Sequence, residues 1–234
     1  MIGSLLVKSP RDFKIDAMRV THKCSLKIHV NGTQHIPKTG PALITMNHYA
    51  RDGFSIIWAA LAIAAQLPKD QMWLMTNAWT HRQKGFDLIP ATMTKFLFKR
   101  IADMYGFITT PPMPPVDGEQ VERALGIRAV FQHIRKHPQT TICLAPEGQD
   151  YPIGVLGHPP AGTGKFIDQL AQHLNTIIPV GVYEARETLI LDFGPAYGLS
   201  QIIETNDAYI SRLVMEKIAM QLPAGYQMQS GIRK

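Results

Sequence analysis

The chain has 234 residues, of which 45% are hydrophobic, and its formal net charge is +6 with the histidines counted as neutral. This size is enough to bury one substantial core, so we expect a single domain, and no internal repeat or low-complexity tract is visible. The positive charge suits an anionic partner, which could be nucleic acid, a phospholipid surface or an acidic cofactor such as a CoA thioester.

The cysteines and the apolar stretches restrict the cellular setting. Cys24 and Cys143 are the only cysteines, and Cys143 lies in an apolar run, so the sequence argues against a disulfide framework or a cysteine metal site. Met1–Arg19 lacks the features of a secretory signal, and a cytoplasmic location is expected. The longest nearly uncharged apolar stretch, Phe54–Leu67, is shorter than the roughly 20 residues that span a bilayer, so any membrane contact is expected from one side.

Strand and helix patterns alternate along most of the chain. Residues 1–21 have weak periodicity and are predicted to be an irregular or partly helical lead-in. Polar and apolar residues alternate in Ser25–Val30, as in a half-buried strand, and Ala42–Met46 is typical of a fully buried strand. A helix is predicted for Phe54–Gln66 and a further strand for Met72–Met75.

Two predicted helices carry apolar stripes that are assigned to the core. One covers Thr92–Tyr105, with Lys95, Lys99 and Arg100 on another side, and the other covers Glu119–His137. The residues predicted to face inward are Met93, Phe96, Leu97, Ile101 and Met104 in the first, and Val121, Ala124, Leu125, Val130, Phe131 and Ile134 in the second. The basic first helix would also suit a lipid surface, which stays open as the second reading.

The remaining elements complete the predicted fold class. Loops are predicted for Pro111–Pro115 and Gly148–Gly164. Strands are predicted for Gly106–Thr109, Thr141–Ala145, Thr176–Tyr183 and Leu189–Phe193, the last two paired about Glu184–Glu187, and helices for Lys165–Leu174 and Asp207–Leu222. This alternation predicts an α/β domain with a largely parallel central sheet flanked by helices.

An Asn-His pair ends the buried strand Ala42–Met46. His48 is a candidate general base, and Asp52, four residues later, is a candidate for the carboxylate that orients it. Residues four apart share one side of a helix, so the two side chains could meet there. The alternative is that the pattern arises by chance and that Asp52 is an ordinary acid at a helix N-terminus.

A second polar turn follows the strand Thr141–Ala145, at Pro146-Glu147-Gly148. In open α/β sheets, ligands collect outside the carboxyl ends of the strands. We therefore expect this turn and the one at His48 to face a common cleft.

Four sequence blocks occur in an order that resembles the glycerolipid acyltransferase family, which includes lysophosphatidic acid acyltransferases. They are Asn47–Asp52, Tyr105–Thr109 (YGFIT), Ala145–Gly148 (APEG) and Ile177–Val182 (IIPVGV). The resemblance covers roughly residues 25–200, with residues 1–24 as a lead-in and residues 201–234 as a helix and tail that complete the same domain. It implies a glycerolipid acyltransferase-like fold.

The resemblance also implies a reaction, in which a fatty acyl group moves from an acyl thioester, carried by CoA or acyl carrier protein, to the hydroxyl of a lipid acceptor. His48 would take the proton of the hydroxyl, Asp52 would fix the imidazole tautomer, and no covalent acyl-enzyme is required. Glu147 and Gly148 would shape the acceptor site, the alternative being a tight turn with a solvated glutamate. No cofactor is implied beyond the acyl-CoA or acyl carrier protein co-substrate.

Three departures from the family pattern concern charge and spacing. Three residues, rather than the usual four, separate His48 from Asp52. Thr109-Thr110 and Gln149-Asp150 stand where the family has arginines that are expected to hold an acceptor phosphate, and Asp150 has the wrong charge for that task. Arg51 and Lys165 are candidate replacements. Without them the acceptor is predicted to lack a phosphate, which an acylation screen favouring lysophosphatidic acid over neutral acceptors would contradict.

Other site types lack their sequence patterns. Ala161–Lys165 does not complete a phosphate-binding loop, there is no Gly-x-Ser-x-Gly element, and the histidines lack metal-ligand spacing, so no metal is expected. A nucleic-acid partner is not expected, because no aromatic residues are interleaved with a basic stripe.

Two function classes remain. One is an acyltransferase peripheral on the inner face of the membrane, and the other is a non-catalytic relative that binds lipid or acyl thioester. The His48–Asp52 distance is the observation expected to separate them. The lead-in is too polar for the hydrophobic anchor that the family often carries, so Phe54–Leu67 and Thr92–Tyr105 are the candidates for membrane contact.

Overall fold

A seven-stranded sheet forms the centre of the protein in the computed structural model, which describes residues 10–24, 26–78, 91–113, 117–200 and 206–228. Its strands are β1 (Ile28–Asn31), β2 (Ala42–Met46), β3 (Gln71–Thr76), β4 (Ile108–Thr110), β5 (Thr141–Leu144), β7 (Ile177–Ala185) and β8 (Thr188–Phe193). The short strands β6 (Val155–Leu156) and β9 (Gln227–Met228) pair separately. The helices are α1 (Phe13–Lys23), α2 (Ile56–Gln66), α3 (Ala91–Tyr105), α4 (Gln120–Lys136), α5 (Thr163–Leu174) and α6 (Asp207–Ala219).

The strand order is β1-β8-β7-β2-β5-β3-β4, and every neighbouring pair is parallel except the hairpin of β7 and β8. The largely parallel sheet and the hairpin are therefore as predicted. Both sides of β2 are paired, with Leu43 opposite Ile142 of β5 and Ile44 opposite Ile178 of β7. The carboxyl ends of β2 and β5 consequently lie side by side, which is what brings the two polar turns together.

Helices cover both faces of the sheet and enclose two hydrophobic clusters. One cluster joins α1 and α2 to the sheet, and the other joins α4, α5 and α6 to it. All five residues of β2 are buried, since apolar side chains meet them from both faces. The chain is a single α/β domain with a layer of helices on each side of the sheet.

The lead-in is more regular than its weak periodicity indicates, because α1 packs against α2. The side chain of Asp12 caps α1 by accepting from the backbone N–H of Ile15. Arg11 makes two contacts of 2.6 Å with Asp16, and Tyr105 donates to the same carboxylate at 2.9 Å. These contacts tie the lead-in to α3.

The predicted core stripes of α3 and α4 are partly wrong. Met93, Phe96 and Leu97 of α3 are exposed, and the buried residues of that helix are Thr94, Phe98 and Ala102. In α4 Val121, Ala124 and Leu125 are also exposed, whereas Val130 and Ile134 are buried as predicted. The physical reason is that α3 lies at the β4 edge, where the sheet offers only a narrow surface to cover.

Two further observations bear on membrane contact and on the predicted segments. In the described ranges, none of the helices has the length and hydropathy needed to span a bilayer. The central residues of α2, Ala59, Ala62 and Ile63, are buried in the core. Parts of the predicted segments lie outside the described residues: the first nine residues of the lead-in, Ser25, Pro114 and Pro115 of the loop, and residues 201–205 and 229–234.

Candidate active site

The side chain of Asn47 fixes the chain directly after the carboxyl end of β2. Its amide donates to the backbone oxygen of Val182 at 2.9 Å, and its Oδ1 accepts from the backbone N–H of Val182 at 2.7 Å. Asn47 therefore continues the pairing of β2 with β7 beyond Met46 through a side chain. His48 follows at a fixed point on the carboxyl edge of the sheet.

Glu147 links the two polar turns and is only 1% exposed. Its Oε2 accepts from the backbone N–H of His48 at 2.5 Å, and its Oε1 accepts from the backbone N–H of Gly157 at 2.6 Å. Burial raises the pKa of Glu147, against the two N–H donors, which act to lower it. The alternative of a solvated glutamate is therefore wrong, and the predicted role of Glu147 at the acceptor remains a prediction.

Gly148 lets the chain turn sharply after Glu147. Its φ is 68°, in the left-handed region that favours glycine, and its N–H donates to the oxygen of Ala145 at 3.2 Å. A Cβ at this position would lie 3.1 Å from Cγ of Met113. The turn directs the following residues back toward β2.

Asp150 is the carboxylate that the structure places at His48. The distance from Nδ1 of His48 to Oδ1 of Asp150 is 2.8 Å, a close approach without the alignment of a hydrogen bond, and both atoms are buried. The side chain of His48 is 17% exposed and that of Asp150 is 34% exposed. The sequence interpretation of Asp150, as a wrongly charged substitute in a phosphate site, missed this contact.

Asp52 is exposed and does not occupy the position that its spacing predicts. Arg51 and Phe54 exchange two backbone hydrogen bonds across a tight turn, and α2 begins only at Ile56. The argument that residues four apart share one side requires a helix, and His48 and Asp52 precede the helix. The structure therefore does not show the predicted contact between His48 and Asp52. A catalytic role for Asp52 remains a prediction.

Neither of the candidate replacement cations, Arg51 and Lys165, is among the residues that line the open depression against His48. Arg51 contacts Glu184 of β7 twice, with Nε 2.5 Å from Oε2 and Nη2 2.8 Å from Oε1. Lys165 is exposed, and its backbone N–H donates to Asp207 at 2.9 Å. Their roles in substrate binding also remain predictions.

Tyr49 strengthens the attachment of this segment to β7. Its hydroxyl donates to Oε2 of Glu184 at 3.0 Å. Burial, followed by the hydrogen bond to Glu184, raises the pKa of Tyr49 to about 12. The tyrosine therefore stays protonated at neutral pH and keeps its donor role.

An open depression of about 230 Å³ lies against His48. Its lining includes Tyr151 and Ile153 from the loop after β5, and Tyr226 from beyond α6. The ring of Tyr151 packs where a side chain at position 157 would be, which a glycine there permits. Nothing in the local pattern marked Tyr151 or Tyr226, because their place depends on the paths of a long loop and of the segment after α6.

The depression is not built as a metal site. Among the described residues there is no group of three or more histidine, cysteine, aspartate or glutamate side chains that could hold an ion. His48 and Glu147 line the depression, and the Asp150 carboxylate lies at Nδ1 of the His48 imidazole. An imidazole held beside a carboxylate is an arrangement that can act as a general base.

Comparison with known proteins identifies the fold. No protein-family model matches the chain, and no curated protein sequence is similar to it. Among solved structures it is similar to the crystal structure of PlsC, the 1-acyl-sn-glycerophosphate (LPA) acyltransferase from Thermotoga maritima. The TM-score is 0.56 at 12% identity, and the match covers 89% of this chain and 77% of that chain. The resemblance drawn from the order of four sequence blocks is confirmed, and this chain has a glycerolipid acyltransferase-like fold.

Proposed function

We propose that this protein is an O-acyltransferase that moves a fatty acyl group from an acyl thioester to the hydroxyl of a lipid acceptor. The observation that carries the proposal is the position of His48. It lies in an open depression at the carboxyl end of the central strand β2, next to a carboxylate, on a fold similar to that of an LPA acyltransferase. Ligands of open α/β sheets bind at this edge.

The reaction needs one proton to move and one acyl bond to be exchanged. His48 accepts the proton of the acceptor hydroxyl while the hydroxyl oxygen attacks the thioester carbonyl carbon. The tetrahedral intermediate then collapses, the carbon–sulfur bond breaks, and the proton on the imidazole passes to the leaving thiolate. The products are an ester and a free thiol, so the only further requirement is the acyl-CoA or acyl carrier protein co-substrate.

The depression suits the reacting groups better than a whole lipid. Its volume of about 230 Å³ includes open solvent at the mouth, and the enclosed part measures only about 10 Å³, which is roughly the room of one water molecule. Pockets for drug-sized ligands hold roughly 300–1,000 Å³. Ile153 lies at this depression and is largely exposed. The acyl chain is therefore expected to extend from the depression over neighbouring apolar surface.

Release of free thiol tests the activity directly. We expect acceptor-dependent release of CoA from a long-chain acyl-CoA that falls by about 100-fold or more in His48→Ala, since general bases contribute roughly 10²–10⁴ in rate. His29→Ala, an exposed histidine on β1, is the matched control and should retain activity. The acceptor panel contains lysophosphatidic acid and neutral lipid alcohols, which also tests the predicted lack of an acceptor phosphate.

Two outcomes would contradict the proposal. The first is the absence of any acceptor-dependent release of thiol by the wild type with both CoA and acyl carrier protein donors, while the protein still binds the thioester. That result would favour the non-catalytic lipid-binding relative. The second is equal activity of the wild type and His48→Ala, which would remove the general base from the proposal.

The proposal includes contact with a membrane surface through α3 and α4. Phe96 is 67% exposed and Val121 is 70% exposed, and Met93, Leu97 and Leu125 are exposed beside them on the same two helices. Lys95 and Glu122 are 3.3 Å apart, which places these exposed helix segments next to each other. Exposed apolar residues grouped in one region of a surface mark interaction sites, and the net charge of +6 favours an anionic lipid surface.

Vesicle sedimentation tests this surface. We expect the wild type to bind vesicles of phosphatidylglycerol and phosphatidylcholine more strongly than vesicles of phosphatidylcholine alone. Phe96→Ser combined with Val121→Ser should abolish that binding, whereas Ile57→Ser, another exposed apolar residue, on α2, should leave it unchanged. Absence of wild-type binding to either vesicle, or an equal effect of the control, would contradict the assignment.

A further inference from the structure

We propose that Asp150 is the positioning carboxylate of His48, in the role that sequence spacing assigns to Asp52. The proposal rests on the proposed function in one respect, that His48 acts as the general base. Its central observation is the 2.8 Å approach of Oδ1 of Asp150 to Nδ1 of His48, two atoms shielded from solvent. The approach is that of an ion pair and lacks the alignment of a hydrogen bond, so the carboxylate acts on the imidazole through its charge.

The sheet brings the two residues together. β2 and β5 are adjacent and parallel, with Thr45 opposite Leu144, so the turns that follow them start at the same level. Glu147, in the turn after β5, then accepts a hydrogen bond from the backbone N–H of His48, in the turn after β2, and so fixes the position of one turn relative to the other. The left-handed turn at Gly148 brings the chain back, and Asp150 arrives at the imidazole.

The first polar turn is held on the opposite side. Tyr49 and Arg51 both bind Glu184, which lies on β7, and β7 and β5 flank β2 on its two sides. These contacts draw the segment that precedes Asp52 toward β7. The β5 side of His48 is left to Asp150, and the carboxylate of Asp52 lies in an exposed turn.

The two carboxylates of the second turn have different tasks. Glu147 accepts from main-chain N–H groups and sets the position of the backbone of His48. Asp150 contacts the ring itself, and a carboxylate at Nδ1 favours the tautomer with the proton on Nδ1 and the free electron pair on Nε2. Nε2 takes the proton of the acceptor hydroxyl and later returns it to the thiolate, while Asp150 stays ionised and stabilises the imidazolium between the two steps.

A pair of identical substitutions distinguishes the two aspartates. We expect Asp150→Asn to lower kcat by about 100-fold or more with little change in KM for the acyl donor, because it perturbs the base and leaves the depression in place. Asp52→Asn should stay within about threefold of the wild type. In a His48→Ala background, Asp150→Asn should have no further effect, since a residue that acts through the histidine loses its role with it. A further loss there, or a larger effect of Asp52→Asn than of Asp150→Asn, would overturn the proposal.

A spectroscopic measurement tests the pairing without turnover. In protein labelled with ¹⁵N-histidine, at a pH where the imidazole is neutral, Asp150→Asn should shift the ¹⁵N resonances of His48 toward the other tautomer, and Asp52→Asn should leave them unchanged. Resonances of His48 that respond only to Asp52→Asn would refute the assignment. If the wild type shows the Asp150-dependent tautomer but no acyl transfer, the proposed function fails while the positioning contact stands.

Discussion

Asn47 offers a quantitative test of how the exit of β2 is held. Asn47 and Val182 are both buried, and Asn47→Ala would leave the backbone N–H and C=O of Val182 without these partners. A buried polar group that loses its partner costs about 1–3 kcal/mol. Two such groups, with some access for water in the space left, predict a loss of about 2–4 kcal/mol in the free energy of unfolding. That loss is a large share of the 5–15 kcal/mol typical of a domain.

Urea denaturation followed by circular dichroism measures this loss, and Asn47→Asp is the matched control. The aspartate still accepts a hydrogen bond from the N–H of Val182. Its second carboxylate oxygen, however, replaces the amide donor and faces the carbonyl oxygen of Val182, which repels it. Burial and this opposition raise the folded-state pKa of the new carboxyl above its unfolded value of about 3.9. Its contribution to stability is therefore fully present below that unfolded pKa and is lost as pH rises through the folded pKa. The deficit of Asn47→Asp relative to the wild type should shrink as the solution is acidified.

Two results would refute this reasoning. A loss below about 1 kcal/mol for Asn47→Ala would mean that the two hydrogen bonds are not made or are fully replaced by water. A deficit of Asn47→Asp that grows on acidification would mean that the amide does not donate to the oxygen of Val182. Because His48 follows Asn47 directly, kcat of Asn47→Ala should also fall under conditions where the variant is fully folded.

Three further predictions concern the surroundings of the site. Arg51→Gln removes a partly exposed ion pair, so urea denaturation should show a loss below about 1 kcal/mol, and a larger loss would mean that the pair anchors the first turn more firmly. The arginine partner of Asp16 lowers the pKa of its carboxyl, so the contribution of Asp16 to stability is present above the unfolded pKa and is lost as pH falls through the lower folded pKa. Asp16→Asn should therefore reduce the loss of unfolding free energy that the protein shows at acid pH. An unchanged loss at acid pH would contradict this. Gly148→Ala should destabilise more than Gly53→Ala, because both have positive φ but only the first Cβ approaches Met113, and equal thermal shifts would show that the crowding is relieved at no cost.

The fold class could be predicted because its signals are local. β2 and β5 are apolar runs that end at polar turns, and the hairpin of β7 and β8 is marked by a short turn between two apolar runs. Most helices were found within a few residues, because their ends are set by caps and prolines near them in sequence. α1 was the weakest prediction, since its stability comes from packing against α2 rather than from its own pattern.

The outward faces of α3 and α4 show where a periodic pattern is insufficient. An apolar stripe states that a helix has two different faces, but it does not state what each face meets. Phe96 and Val121 were assigned to the core because a core is the common destination of such stripes. Their exposure follows from the position of α3 at the β4 edge of the sheet, which no local pattern encodes.

Local sequence patterns indicate that His48 and Glu147 follow buried strands, and the order of the motifs indicates the fold that places both residues at one edge of the sheet. Which acid meets the imidazole depends on the packing of the strands. The two turns are 99 positions apart in the chain at His48 and Glu147, and their contact depends on β5 lying beside β2 with β7 on the other side. Spacing favoured Asp52 because it is close in sequence, whereas the path of the second turn, set by Glu147 and Gly148, brings Asp150 to Nδ1 of His48.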